Sequence, residues 1–249
     1  MFTPEERGRL RSELLEYAQN DPRITGGALT GSAAAGREDR WSDVDLAFGV
    51  ADASQVPQVL ADWTAHMYER HSALHHFDVR VGAWTYRVFL LSSTLQVDLA
   101  LVAAEEFRAL SPTFRLVFGK ANEARDFPPP QPGDLIGMGW LYALHARSCI
   151  AREKFWQAEY MISGMRDQAL ALACLRHALP AVQGRGLDRL PSEVLGRFEG
   201  ALVRQLERGE LARAFRLATD GLLGEIICVD ASLAERLRPA LTELSEDLH

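Results

Sequence analysis

Long hydrophobic runs are absent from this sequence. Nothing approaches the roughly 20 consecutive apolar residues that a membrane-spanning helix needs, so no membrane partner is expected. Cysteine is scarce. Cys149, Cys174 and Cys228 lie far apart with no metal-ligand spacing, which predicts buried reduced thiols rather than a disulfide framework or a zinc site. An excess of basic residues is also missing, since 27 Lys and Arg stand against 34 Asp and Glu for a net charge of −7. A general nucleic-acid coat carries the opposite sign, so nucleic acid is disfavoured as a partner. There is no internal repeat and no low-complexity tract. Met1 to Glu6 is acidic and polar, unlike a secretory leader, and a cytoplasmic location is the expectation. His66, His71, His75 and His76 cluster, but no cysteine or HExxH pattern accompanies them, so surface histidines are the better reading than zinc ligands.

What is present suits a folded chain of one large or two small domains. The length is 249 residues with 47% hydrophobic content. Thr3, Pro4 and Glu6 predict a helix start, with Thr3 as cap, Pro4 in the first turn and Glu6 closing a capping box. Leu10, Leu14, Leu15 and Ala18 follow at helical spacing. Ile24 to Thr30 reads as a strand, Ala33 to Asp39 as a short helix or turn, and Val44 to Val50 as a second strand. A helix is predicted over Val56 to His71, with Val56, Leu60, Trp63 and Met67 on one stripe. Strands follow at Phe77 to Val81, Thr85 to Leu91 and Leu95 to Val102. The predicted sheet is therefore mixed. Phe127 to Gly133 holds four prolines and a glycine, which suits neither helix nor central strand and predicts a linker. Beyond it the chain reads as about five helices. These run from an Asp134 cap to Arg152, from Phe155 to Leu179, from near Pro191-Ser192, and as two helices over Leu211 to Leu248. The expected fold class is α+β, with a mixed β-sheet domain over residues 1–126 and a C-terminal α-helical bundle over 134–249.

The chemistry concentrates in a few residues. Gly31-Ser32 ends the first strand, ten residues follow, and then comes Asp43-Val44-Asp45-Leu46. A third carboxylate, Asp98, lies within Leu95 to Leu101. Strand side chains alternate faces, so Asp43, Asp45 and Ala47 share one face while Val44, Leu46 and Phe48 share the other. Leu95, Val97, Leu99 and Leu101 form an apolar face from which Asp98 turns away. If these two strands are neighbours, three carboxylates converge. They stay ionised together only when a cation neutralises them. Oxygen-only ligands suit Mg²⁺ or Mn²⁺. Two such ions about 4 Å apart serve in-line displacement at phosphorus. A glycine-serine turn offers backbone approach, amides and a hydroxyl to phosphate oxygens.

Gly-Ser, this spacer, Asp-x-Asp and a later strand Asp together resemble the signature of the DNA polymerase β-like nucleotidyltransferase superfamily. The pattern is similar above all to its antibiotic-modifying branch, the aminoglycoside and lincosamide nucleotidyltransferases. The motif covers about Gly26 to Val102; the helical half matches in architecture only. The resemblance implies that Gly31 and Ser32 bind the β- and γ-phosphates of an NTP such as ATP. It implies that Asp43 and Asp45 hold two Mg²⁺ ions, and that Asp98 completes the metal site and helps deprotonate the acceptor hydroxyl. It further implies an NTP-dependent transferase acting on a small hydroxyl-bearing acceptor in a cleft between domains, with a homodimer left open.

Further candidates rest on less. Arg37 and Arg40 lie between Ser32 and Asp43, where an arginine fork can reach a triphosphate; solvated loop arginines explain them equally well. Trp41 can cover a nucleotide or simply pack. Trp156, Glu159, Tyr160, Ser163, Arg166 and Asp167 form a polar stripe in an apolar helix, and Glu159 is the candidate general base against the plainer reading of an interhelical ion pair. Two other functions compete: an antitoxin-type nucleotidyltransferase modifying a protein or RNA, and a non-catalytic nucleotide-binding protein. The Arg-x(4–6)-His ribonuclease motif of the toxins that partner such antitoxins is missing from the helical half, and the intact acids argue against loss of catalysis.

Overall fold

The computed structural model describes residues 1–125 and 127–246. The predicted domain ends at 126 and 249, and the predicted helix end at Leu248, fall outside the described residues. The chain forms two compact units, Met1–Phe127 and Pro128–His249.

The first unit carries helices α1 (Pro4–Gln19), α2 (Gly31–Ala34) and α3 (Val56–Arg70), and strands β1 (Ile24–Thr30), β2 (Val44–Val50), β3 (Ala73–Val81), β4 (Trp84–Leu91), β5 (Gln96–Ala103) and β6 (Phe114–Gly119). The sheet order is β3-β4-β5-β2-β1-β6. Among the described strands β2 and β5 run parallel, and the other neighbours in this order are antiparallel. The sheet is therefore mixed and the fold class is α+β, as the sequence predicts.

Local chemistry explains the start of α1. Thr3 Oγ1 accepts from the Glu6 amide and Glu6 Oε2 accepts from the Thr3 amide, a reciprocal capping box. The main core of this unit joins α1 and α3 to one sheet face, with Leu14, Phe48, Trp63, Met67, Leu99 and Leu101 at its centre. Val44, Leu46 and Phe48 enter this core from β2, and Val97, Leu99 and Leu101 from β5, as alternation requires. A second, smaller core lies on the opposite face and includes Ala28, Ala47, Ala100, Trp84 and Phe107.

Several sequence expectations shift. Strand β6 has no counterpart among the predicted elements; it pairs with β1 at the sheet edge and leaves Leu116 and Val117 exposed, so it carries little apolar signal. The hairpin β3-β4 starts earlier than expected, at Ala73. Helix α3 stops at Arg70, leaving His71 as its C-cap, so His71 and His75 share no helix face.

The second unit holds α4 (Pro132–Ala151), α5 (Phe155–Arg176), α6 (Ser192–Glu199), α7 (Arg208–Val229) and α8 (Ala231–Glu246) around one apolar core. The proline-rich stretch yields sooner than expected, because Pro132 occupies the first turn of α4, where its missing N–H costs nothing. Gln131 is the cap, and Asp134 sits in the first turn. Helix α5 ends at Arg176, before the predicted Leu179, where Ala178 takes a positive φ. Glu225 on α7 is buried and receives the Arg176 guanidinium in several hydrogen bonds of 2.9 to 3.1 Å. Cys149 and Cys174 are buried as expected, whereas Cys228 is exposed. Among the described residues no helix is long and apolar enough to cross a membrane.

Phe48 is fully buried between α3 and the sheet. Phe48→Ala is expected to cost about 3–5 kcal/mol, read as a lowered urea midpoint with an unchanged slope.

Candidate active site

The site is built where β1 turns into α2 beside the start of β2. Gly31 makes that turn with φ +59, a region that strains residues with a side chain. A Cβ at this position would lie 2.0 Å from Asp45 Oδ2. Only glycine lets the turn approach the carboxylate this closely. Ser32 follows, with its Oγ buried and, among the described residues, without a hydrogen-bond partner. Leaving such a hydroxyl unsatisfied costs about 1–3 kcal/mol, and an oxyanion accepting from it would remove that cost.

Asp45 and Asp98 are direct register partners in the parallel β2–β5 pair, so they point to one face. Asp43 stands one residue before β2. One carboxylate oxygen from each of Asp43, Asp45 and Asp98 lies within 4.8 Å of the others, and all three residues are half-buried. Burial holds the Asp98 carboxyl above the usual aspartate range, the Asp43 charge adds to this, and a Gln96 hydrogen bond opposes it. In that bond Gln96 Nε2 donates to Asp98 Oδ1 at 2.9 Å. Three hard oxygen donors, a glycine that admits close approach and an unsatisfied serine hydroxyl fit a Mg²⁺ or Mn²⁺ ion with a phosphate ligand.

A brace that the sequence reading missed holds the loop leading to Asp43. Arg7, buried on α1, donates from Nη1 to the carbonyls of Asp39 at 2.5 Å and Ser42 at 3.0 Å. Its Nε lies 3.2 Å from Glu38, which also accepts from Arg11 Nη1 at 2.5 Å. The Arg11 hydrogen bond, opposed by burial and aided by the charges of Arg11 and Arg7, keeps the Glu38 carboxyl below the usual glutamate range. Asp39 closes the loop by accepting from the Trp41 amide and the Ser42 hydroxyl. A sequence signal for the brace exists: Arg7 falls on the same stripe as Leu10, Leu14 and Ala18, all buried, and a lone arginine on an apolar stripe needs a partner.

The remaining candidates have other surroundings. Arg37 and Arg40 are exposed; Arg40 stacks over Trp41 at 4.3 Å, and Trp41 is itself 68% exposed. Glu159, on α5 of the second unit, is half-buried and accepts from Ser163 Oγ at 2.6 Å. Trp156 and Tyr160 are largely exposed on the same helix, while Arg166 pairs with Asp167 at 3.6 Å. The histidines are not all surface groups. His66 and His71 are half-buried with their Nε2 atoms 3.2 Å apart, and Tyr17 stacks on His66 at 3.8 Å. Burial pushes both imidazoles below their usual pKa.

No protein-family model and no curated protein sequence matches this chain. Among solved structures it is similar to an aminoglycoside 6-adenyltransferase from Bacillus subtilis, with 13% identity over 99% of this chain and 100% of that chain and a TM-score of 0.43. At that identity and score the likeness carries no functional argument.

Gly31→Ala is expected to cost about 1–2 kcal/mol from the left-handed backbone alone and to displace the Asp45 carboxylate. Thermal unfolding with and without Mg²⁺ reads both effects, as a lower midpoint and a lost metal-induced rise. Glu38 has a depressed folded pKa, so its share of stability is complete above the ordinary glutamate value of 4.5 and disappears as pH falls through the folded value. Glu38→Gln is expected to flatten the acid limb of a stability–pH curve and leave the neutral region less stable.

Proposed function

We propose that this protein is a metal-dependent nucleotidyltransferase. It moves a nucleoside monophosphate, AMP from ATP in the first instance, onto a hydroxyl of a small acceptor. The observation that carries this reading is the convergence of Asp43, Asp45 and Asp98 within 4.8 Å, beside a positive-φ glycine at which an added Cβ would meet the Asp45 carboxylate.

In this reading Asp43, Asp45 and Asp98 hold the metal, and the Gly31-Ser32 turn holds the β- and γ-phosphates. When bound, Mg²⁺ or Mn²⁺ supplies charge neutralisation and Lewis-acid polarisation at the phosphates. Asp98 accepts the acceptor's hydroxyl proton. The acceptor oxygen bonds to the α-phosphorus, the bond from that phosphorus to the bridging oxygen breaks, and pyrophosphate leaves. Gln96 orients Asp98 through its hydrogen bond. The Arg7 brace fixes the loop that carries Asp43. Most of the rate gain then comes from positioning and charge neutralisation, as in phosphoryl transfer generally. Arg37 and Arg40 are assigned to the triphosphate side. The net charge of −7 counts against RNA as acceptor.

The test is incubation with labelled ATP, Mg²⁺ and a panel of aminoglycosides, lincosamides, other alcohols, RNAs and proteins, following label and pyrophosphate. Asp43→Asn and Asp98→Asn are each expected to lower transfer by about 10³-fold or more, and chelation of the metal to do the same reversibly. Both variants should remain folded, because each substitution relieves like-charge repulsion in the metal-free protein. Wild-type turnover in either variant sinks the reading. Label on a protein or RNA alone moves the acceptor to the antitoxin-type class, and nucleotide binding without pyrophosphate release makes this a non-catalytic binder.

A further inference from the structure

The sheet continues past Asp98 through β4 to its β3 edge, and the register places every residue. Asp45 pairs with Asp98, Asp98 with Val88, and Val88 with Phe77. In the next row Ala47 pairs with Ala100, Ala100 with Tyr86, and Tyr86 with Val79. On the other side of the carboxylate row, Gln96 pairs with Leu90 and Leu90 with His75. Directly paired residues point the same way. Val88, Leu90, Phe77 and Val79 therefore share the carboxylate face. The intervening residues face α3 instead: Arg87 donates to Asp78 at 2.7 Å and 2.8 Å and to the Thr64 hydroxyl at 2.6 Å.

This part of the sheet is apolar and open. Phe77 is 54% exposed, Leu90 48% and Val79 43%, and Val88 and Tyr86 are half-buried. Strands lie about 4.8 Å apart, so the shelf extends from about 5 to 10 Å beyond Asp98, the reach of a small molecule. A contiguous apolar set beside polar groups that converge on one point is the usual make-up of a ligand site. Charge narrows the occupant. Among the described residues of β3 and β4 the sole carboxylate is Asp78, and it is turned to the opposite face in its pair with Arg87. A polycation finds no anionic partner on the shelf. Direction narrows it again. The Gly31-Ser32 turn and β1 flank Asp45 on one side of the triad, and β4 flanks Asp98 on the other. In-line displacement puts the attacking oxygen opposite the leaving pyrophosphate. With phosphates at the glycine-serine turn, the attacking hydroxyl arrives from the β4 side.

We propose that Phe77, Val79, Val88 and Leu90 form the acceptor-body site, and that the acceptor is an alcohol with an apolar or aromatic body, not a polycationic aminoglycoside. This rests on the nucleotidyl-transfer reading and names the substrate class for it. The test uses the full-length protein with ATP and Mg²⁺ and two alcohols, naphthylethanol and kanamycin. Naphthylethanol is expected to be adenylylated with the lower KM. Phe77→Ser and Leu90→Ser should each raise that KM by about tenfold, the worth of one large apolar side chain partly buried by ligand, with kcat and ATP–Mg²⁺ affinity unchanged. Both residues are exposed, so folding is spared. Arg80→Ser, on the same strand but the opposite face, should change nothing. A lower KM for kanamycin, or shelf variants with unchanged KM for naphthylethanol, overturns the proposal. If neither alcohol turns over, a fluorescence titration with naphthylethanol decides: binding weakened by Phe77→Ser and Leu90→Ser supports the site, and absent or unaffected binding overturns it. Failure to bind ATP–Mg²⁺ is a separate result that sinks the nucleotidyl-transfer reading, while the same titration still judges the shelf.

Discussion

Like-charge repulsion among three carboxylates is the constraint around which the first unit is arranged. Asp45 and Asp98 face each other across the one parallel strand pair, and Asp43 joins them from the preceding loop. Nothing in the apolar cores asks for this arrangement. Burial, with the Asp43 charge adding to it, raises the Asp98 pKa, and three converging carboxylate oxygens suit a divalent cation.

The surroundings serve that cluster in different ways. Beneath β2 and β5, an apolar face anchored by Phe48, Leu99 and Leu101 fixes the register, since a one-residue slip of either strand would turn its aspartate to the buried face. Gly31 brings backbone against Asp45 where any side chain would collide. Arg7 reaches from α1 to hold the loop before Asp43 by its carbonyls. Alanines at positions 28, 47 and 100 line the adjacent row of the sheet, and Trp84 and Phe107 pack with them in the smaller core.

Much of this is legible in the sequence where a pattern is strong. The capping box at Thr3, the strand Val44–Val50 and the alternation that sends Val97 and Leu99 into the core while Asp98 turns away all follow from residue spacing. Edges are less legible. Strand β6 pairs on one side only and is half solvated, so Phe114–Gly119 lacks a clean hydrophobic signature. Helix α4 begins inside the proline run because proline is tolerated in a first turn, a choice that composition alone leaves open. The histidines mislead for another reason: stacking of Tyr17 on His66 joins residues from α1 and α3, a contact with no local trace.

By itself the sequence determined the identity of the acids, the glycine-serine turn and the face on which each strand residue lies, because alternation and backbone sterics act over a few neighbouring residues. Only the tertiary structure decided that β2 and β5 are parallel partners, that Arg7 secures the loop before Asp43, and that an apolar shelf adjoins Asp98. Those facts depend on strand order and on contacts between segments far apart in the chain, and the free energy selecting them comes from burying the whole core at once.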